Sequence, residues 1–354
     1  MAGNNCIITV NIPYKYKGIY KQMFKNFIYQ SSSIVNIFLC KISEKDKQRI
    51  VAYDIIRVIA IGFVVLIHSM ELYNYNNAIL YLLGRCGVPL FFMLMGAYTL
   101  PKNIDKINFI KNKVINIYFI SIFWYVIYSC IFIRSIDIIS ILQLKSLCPH
   151  LWYVSELIFM YIFIPFLSDL KYNSTKTLAV LICLFIILKW LNLFGFGFPK
   201  LGTEIIFLAF IIYGYLITDR KLYLQIPCWI TLGLIGIFIG LFYISIGSQF
   251  YLNLFLNLDI WWYYSPFIVI ISMLLFLFFI QIFYNIQRTS PIILFIAKST
   301  FGIYIMHYGI CAILVLFDKI SNVFLLFAIT SIITILLCYL MTKVSFLKKL
   351  LNYN

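Results

Sequence analysis

Three ionisable residues, Asp54, Arg57 and His68, stand in the otherwise apolar stretch from Tyr53 to Met70. Charged groups are costly inside a bilayer, so they are functional candidates when they occur in a membrane helix. On a helix Arg57 and His68 would share one face, roughly 16 Å apart along the axis. Asp54, one turn before Arg57, can pair with it and lower the cost of burying both charges. Such a helix can hold an anion at its guanidinium end and provide a general base at its imidazole end.

The composition indicates an integral membrane protein whose main partner is the lipid bilayer. Hydrophobic residues make up 63% and charged residues only 11% of the 354 residues, whereas soluble domains are about half apolar. The 28 Lys and Arg residues outnumber the 12 Asp and Glu residues, which gives a net charge of +16. Membrane topology explains this excess, because Lys and Arg concentrate in cytoplasmic connections. No nucleic-acid partner is therefore predicted.

The apolar windows predict an all-α fold, a polytopic membrane bundle of about ten transmembrane helices. The predicted spans lie near 52–70, 86–101, 114–134, 151–168, 178–194, 203–219, 224–246, 261–284, 292–317 and 322–343. Three parts are expected: a Lys-rich leader at 1–50, a membrane domain at 51–343 and a tail at 344–354. Lys and Arg are most frequent in the leader, the even-numbered connections and the tail, so both termini are predicted to be cytoplasmic.

The chain has three histidines, and this topology places all of them toward the outer side of the membrane. His68 ends the first span, His150 precedes the fourth, and His307 lies in the ninth. A lone histidine in a membrane helix is usually a hydrogen-bonded packing residue. His68 stands apart because two buried charges share its face. No metal site is predicted, because the histidines lie on different helices without a carboxylate cluster at ligand spacing.

Two early motifs resemble those of membrane-bound acyltransferase family 3, which includes bacterial O-acetyltransferases of surface polysaccharides. Arg57, ten further residues and His68 are similar to the signature of the family's first span. The segment GVPLFFMLMGAY, from Gly87 to Tyr98, resembles its G-V-x-x-F-F-x-x-S-G-aromatic segment. Within that segment, Met95 stands where serine is usual, and Ala97 is an extra residue before the aromatic.

Two later motifs extend the resemblance across residues 53–308. The start of the fourth span, HLWY from His150, is similar to the family's L-W-[FY] helix, and STFGIYIMH, ending at His307, to its late S-x-G-I-Y-x-x-H element. The resemblance assigns substrate binding to His150, Trp152, Glu156, Tyr304 and His307. Glu156 can orient a histidine or a sugar hydroxyl, or it can partner a buried cation. The aromatic run 261–264, in contrast, is expected to form an interfacial belt.

The resemblance implies an O-acetyltransferase-like enzyme in the plasma membrane. It would transfer an acyl group, usually acetyl, from cytoplasmic acyl-CoA to a hydroxyl of a lipid-linked or exported glycan. In that reaction His68 would remove the acceptor's hydroxyl proton as the oxygen attacks the thioester, while Arg57, oriented by Asp54, binds or polarises the donor. An acyl-His68 intermediate is equally permitted by the residues.

Two other classes of function stay open at this point. A transporter or flippase of a lipid-linked glycan would also combine many spans with a few buried charges. However, no inverted repeat is visible, and the charges concentrate on the first span. A structural partner in a polysaccharide synthesis complex is the third possibility, which Met95 in the place of serine keeps open.

Overall fold

A computed structural model describes residues 50–102, 105–133, 138–142, 150–168, 204–247, 262–316 and 322–353. Most of the leader predicted at 1–50 and the fifth span predicted near 178–194 lie outside these residues. The described residues between 50 and 287 and between 293 and 353 form one compact unit. All the regular elements of the described residues are helices, which agrees with the predicted all-α class.

Twelve helices are numbered in chain order below. They are α1 Val51–Tyr73, α2 Ala78–Arg85, α3 Gly87–Thr99, α4 Lys106–Ile131, α5 Ile138–Leu142, α6 Trp152–Ser168, α7 Glu204–Asp219, α8 Cys228–Gly247, α9 Pro266–Phe283, α10 Pro291–Leu316, α11 Val323–Thr342 and α12 Ser345–Leu350. Seven helical segments of the described residues are long and apolar enough to cross a membrane, with α2 and α3 taken as one segment. Two shorter apolar helices, α6 and α7, occupy the predicted fourth and sixth spans. The total of about ten spans and the cytoplasmic position of both termini stay predictions.

The second span begins earlier than the predicted residue 86, at Ala78. The side-chain oxygen of Asn77 accepts a hydrogen bond from the Leu80 amide at 3.1 Å and so starts α2, as a helix N-cap does. Arg85 suggests the end of an apolar window, but the helical path continues past it because its charge is paired inside the fold. Pro89 lies in the first turn of α3, where a missing amide proton costs no helical hydrogen bond.

The third span also begins earlier than predicted, at Lys106 instead of residue 114. The Asp105 carboxylate accepts a hydrogen bond from the Asn108 amide at 3.2 Å and caps α4. Lys106, Lys111 and Lys113 therefore lie on the helix and not in a loop. Long basic side chains tolerate such positions near a helix end because their ammonium groups can reach the membrane surface.

The helix that carries Arg57 and His68, α1, is central to the bundle. It packs against α2, α3, α9 and α11. Next to it, α3 crosses α7 at glycines: Gly96 lies against the backbone of Ile211, and Gly214 lies against the backbone of Met93. A Cβ atom at either glycine would overlap a carbonyl oxygen of the other helix. Such small residues allow membrane helices to approach closely.

The last residue of α12 and the residue after it contact α4 and α10. Trp124 Nε1 on α4 donates a hydrogen bond to the Leu350 carbonyl at 3.1 Å. Leu351 is fully buried, and a Cβ atom added to Gly302 on α10 would meet its side chain at 2.6 Å. The Leu351 contact supports α10, the helix on which His307 lies.

Candidate functional site

The predicted face of α1 is present as one unbroken helical surface. Asp54, Ile61 and Val65 on this face are buried. Arg57 Nη1 lies 3.6 Å from Asp54 Oδ1, so the expected ion pair forms. Because eleven helical steps separate Arg57 from His68, the two functional groups lie at opposite ends of this surface, roughly 16 Å apart along the axis.

The three histidines meet in one cluster although they are far apart in the sequence. The His68 ring centroid lies 5.3 Å from that of His307 and 6.3 Å from that of His150. The centroids of His150 and His307 are 5.5 Å apart. His150 and His307 are almost completely buried, whereas the His68 side chain is 12% exposed. The structure therefore brings together three imidazoles that sequence spacing alone separates.

Each of these imidazoles is anchored through one ring nitrogen. His68 Nδ1 lies 2.8 Å from Glu71 Oε2, His150 Nε2 lies 3.2 Å from the Ile305 carbonyl oxygen, and His307 Nδ1 lies 2.5 Å from the Tyr304 carbonyl oxygen. Carbonyl and carboxylate oxygens only accept hydrogen bonds, so each of these nitrogens carries a proton. In a neutral imidazole the other nitrogen then holds a lone pair that can accept a proton.

The second nitrogens of His150 and His307 are buried acceptors. His150 Nδ1 and His307 Nε2 have no hydrogen-bond partner among the described residues. Burial, together with repulsion from His307 and His68, lowers the pKa of His150 well below its ordinary range. His150 is thus neutral near pH 7, and its lone pair can accept a hydrogen bond from a hydroxyl group.

Tyrosines surround His150 and fix its position. The Tyr308 ring stacks on the His150 ring with centroids 4.7 Å apart. Tyr128 donates a hydrogen bond to the Ile305 carbonyl at 2.6 Å, and the Tyr304 hydroxyl donates to the His150 carbonyl. Because its hydroxyl makes this bond and its ring is buried, Tyr304 holds α10 against the start of α6. Direct contact between Tyr304 and a substrate stays a prediction.

A polar group that sequence reasoning missed adjoins His68. Glu71 uses Oε2 for His68, and its Oε1 accepts hydrogen bonds from the Tyr81 hydroxyl and from Arg85 Nη2, both at 3.2 Å. Glu71, Tyr81 and Arg85 lie between the predicted first and second spans. The hydrogen bonds that join this group to His68 are therefore not expected from the apolar windows. The detectable signal is the position of Glu71, one helical turn after His68.

Aromatic rings border the polar group on its other side. The Arg85 guanidinium lies over the rings of Trp262 and Tyr263, at 5.9 and 5.6 Å from their centroids. Trp152, a predicted substrate-binding residue, lies 5.2 Å from the Tyr263 ring. Tyr263 is only 4% exposed, so the prediction that 261–264 form an interfacial belt is wrong for this residue. The reason is that the Tyr263 ring packs inside the protein, against Trp152, Phe207 and the Arg85 guanidinium.

Glu156, another predicted substrate-binding residue, lies on α6 one turn after Trp152. The side chain is half-buried, and its Oε2 atom is withdrawn from solvent. A carboxylate in such a position requires compensation by donors or by a cation. Its predicted role toward a histidine, a sugar hydroxyl or a cation stays a prediction.

At the other end of α1, cations gather around Tyr98. The Lys102 ammonium lies 3.3 Å from the centre of the Tyr98 ring, and the Arg57 guanidinium lies 5.7 Å from it. Lys113 on α4 is close enough for electrostatic interaction with Arg57 and Lys102. The three positive charges repel one another, and a bound polyanion would neutralise them. This group of cations therefore favours the binding of a polyanion.

Among the described residues, no group of three His, Cys, Asp or Glu side chains is arranged to hold a metal ion.

Comparison with known protein families gives a match. A family model described as an acyltransferase domain matches residues 50–343. No curated protein and no solved structure matches the chain.

Proposed function

The chain belongs to acyltransferase family 3, and we propose that it moves an acyl group, acetyl in the simplest case, from cytoplasmic acyl-CoA to a hydroxyl of a cell-surface or lipid-linked glycan. As a member of this family it is a membrane acyltransferase. The observation that carries the proposal is the cluster of three anchored imidazoles at one end of α1, with three cations gathered at the other end. We assign the cation end to the cytoplasm and the enzyme to the plasma membrane.

The transfer step uses the lone pair on His68 Nε2. This nitrogen takes the proton of the acceptor hydroxyl as the hydroxyl oxygen attacks the thioester carbonyl carbon. The carbon–sulfur bond then breaks, and the proton passes from the imidazolium to the leaving thiolate. The products are an ester on the acceptor and free CoA. An acyl-His68 intermediate would divide the same transfer into two steps.

Of the two roles considered for Arg57, the helix geometry favours donor binding over polarisation of the thioester. A group roughly 16 Å from His68 along α1 cannot contact the same carbonyl as the acceptor that His68 activates. Arg57, Lys102 and Lys113 can instead bind the phosphates of CoA, since guanidinium and ammonium groups make charge-assisted bonds to phosphate. Asp54 orients the Arg57 guanidinium.

The acceptor would bind where the imidazoles and aromatic rings meet. His150 Nδ1 and His307 Nε2 are acceptors without partners among the described residues, and sugar hydroxyls are donors that can satisfy them. Trp152, which follows His150 by two residues and packs against Tyr263, offers an aromatic surface for the acceptor, and Glu156 offers a carboxylate on the same helix.

The test compares cells that express the wild type, His68→Ala or His68→Asn. The asparagine amide can retain the hydrogen bond to Glu71, but it lacks the equivalent of Nε2. Mass spectrometry of surface glycans and glycolipids, with the membrane abundance of each protein measured, should show an ester mass that disappears in both variants. If the esters persist while the amount of surface glycan falls, the enzyme proposal fails and a carrier of lipid-linked glycan replaces it.

A further inference from the structure

We propose that Glu71 is a positioning residue that sets the reactive tautomer of His68, and that Arg85 and Tyr81 hold Glu71 in place. The catalytic effect of this tautomer rests on the proposed acyl transfer. The tautomer itself follows from hydrogen bonds within the protein and can be measured without any reaction.

His68 differs from the other two histidines in the group to which its anchored nitrogen donates a hydrogen bond. His150 and His307 are anchored to backbone carbonyls, whereas His68 is anchored to a carboxylate. A carboxylate carries a full negative charge, so it stabilises the imidazolium that forms when Nε2 takes a proton. Only this imidazole among the three therefore combines a fixed lone pair on Nε2 with compensation for the charge it acquires.

The geometry of Glu71 links α1 to α2. Its Oε2 atom accepts from His68 on its own helix, and its Oε1 atom accepts from Tyr81 and Arg85 on α2. The Arg85 side chain is 15% exposed, and its Nη2 atom also donates to the Tyr81 hydroxyl. The Arg85 guanidinium lies 3.2 Å from Glu71 and compensates the charge of this partly exposed carboxylate.

The proton inventory of the step is consistent with this role. The proton on His68 Nδ1 stays on that nitrogen throughout, and Glu71 stays ionised. The acceptor's proton enters at Nε2 and leaves from Nε2 to the thiolate of CoA. Glu71 thus touches no reacting atom and acts through His68, as the carboxylate of a catalytic triad does.

The first test measures the tautomer. The chain has three histidines, so ¹⁵N-histidine NMR of the full-length protein in lipid vesicles gives three imidazole pairs, and His68→Asn identifies the pair of His68. We expect the wild type to show Nδ1–H at His68 and Glu71→Gln to shift a measurable fraction to Nε2–H, because the glutamine amide can itself donate to Nδ1. An unchanged tautomer in Glu71→Gln would overturn the inference, whether or not the protein transfers acyl groups.

The second test measures catalysis in membranes with radiolabelled acetyl-CoA. We expect Glu71→Gln to lower kcat about 100-fold with KM for acetyl-CoA unchanged. The matched control is Asp219→Asn, which neutralises a carboxylate paired with Arg220 after α7, and it should leave both constants unchanged. Glu71→Asp, which keeps the charge on a shorter side chain, should recover part of the lost kcat.

The tautomer is a readout that a purely structural role of Glu71 would not change. If the wild type is active and His68→Asn is inactive but Glu71→Gln retains the wild-type kcat, this inference alone fails. If the wild type forms no ester at all, the proposed function fails while the tautomer measurement still stands.

Discussion

His150 and His307 anchor opposite nitrogens of their rings, His150 through Nε2 to the Ile305 carbonyl and His307 through Nδ1 to the Tyr304 carbonyl. The remaining nitrogens, Nδ1 and Nε2 respectively, are buried without a hydrogen-bond partner among the described residues. Buried polar atoms normally have partners. The arrangement is therefore suited to a ligand that donates hydrogen bonds to both rings.

Because His150 and His307 are anchored through opposite ring nitrogens, we expect asparagine and glutamine substitutions to have opposite effects at the two positions. An asparagine amide reaches the position of Nδ1 and a glutamine amide that of Nε2, so His307→Asn and His150→Gln keep the anchoring bond and lose the second nitrogen. Both variants should reach the membrane in normal amounts and form the ester about tenfold more slowly, the loss expected for one hydrogen bond. The converse variants, His307→Gln and His150→Asn, should mainly lose thermal stability. Full ester formation by His307→Asn would exclude a role for Nε2.

The cations around Tyr98 predict where the donor binds. Lys113→Met should raise KM for acetyl-CoA about tenfold, because a hydrogen bond to a charged group contributes about 1.5 kcal/mol or more, and the effect should shrink at high salt. The control is Lys349→Met, which removes an exposed cation on α12, outside this cluster. Kinetics at two ionic strengths distinguish the cases, and equal changes in KM for the two variants would contradict a local donor site.

The crossing of α3 and α7 predicts a steric effect on stability. Gly96→Ala should lower the free energy of unfolding by about 1–3 kcal/mol, since the added methyl group meets the backbone of Ile211. Gly233→Ala on α8 is the control, because its Cβ atom would have no atom within 4 Å. This control should be neutral or slightly stabilising, as alanine favours helices by up to about 1 kcal/mol over glycine. Thermal unfolding in detergent measures both, and the prediction fails if the two variants melt alike.

The contact between Leu351 and α10 predicts that the residues after α12 support the site. Leu351→Ala should cost about 2–5 kcal/mol, as other deletions of fully buried leucine side chains do, and should lower ester formation through the position of α10. Phe346→Ala removes a side chain that is 61% exposed and should change stability by no more than about 0.5 kcal/mol. Melting temperature and ester yield of both variants provide the comparison.

The sequence predicts the all-α class, the path of α1 and the family, because each depends on local features. Apolar length predicts the membrane helices, and the match over residues 50–343 confirms the resemblance to acyltransferase family 3. The starts of α2 and α4 differ from prediction because hydropathy windows end at charges. Arg85 does not end a helix here, since its partner Glu71 comes from a different helix.

The candidate site can be predicted only in part from the sequence, because several of its contacts join different helices. The pairing of Asp54 with Arg57 could be predicted because both lie on one helix. The anchors of His150 and His307 are backbone carbonyls of α10, and the one at His150 depends on how α6 and α10 pack. Every residue has a backbone carbonyl, so the residue types in the sequence do not show which carbonyl His150 contacts. The tautomers, which decide the chemistry of the cluster, therefore require the tertiary structure.

Between Arg57 and His68, α1 carries only apolar side chains and one glycine. Ile61 and Val65, on the face that the two residues share, are 3% and 2% exposed. None of these groups can accept or release a proton, and bare ions do not enter such surroundings without a large cost in free energy. This face of α1 is thus an electrical insulator between Arg57 and His68, and under the proposed function it would keep acyl transfer from discharging a proton gradient along this helix.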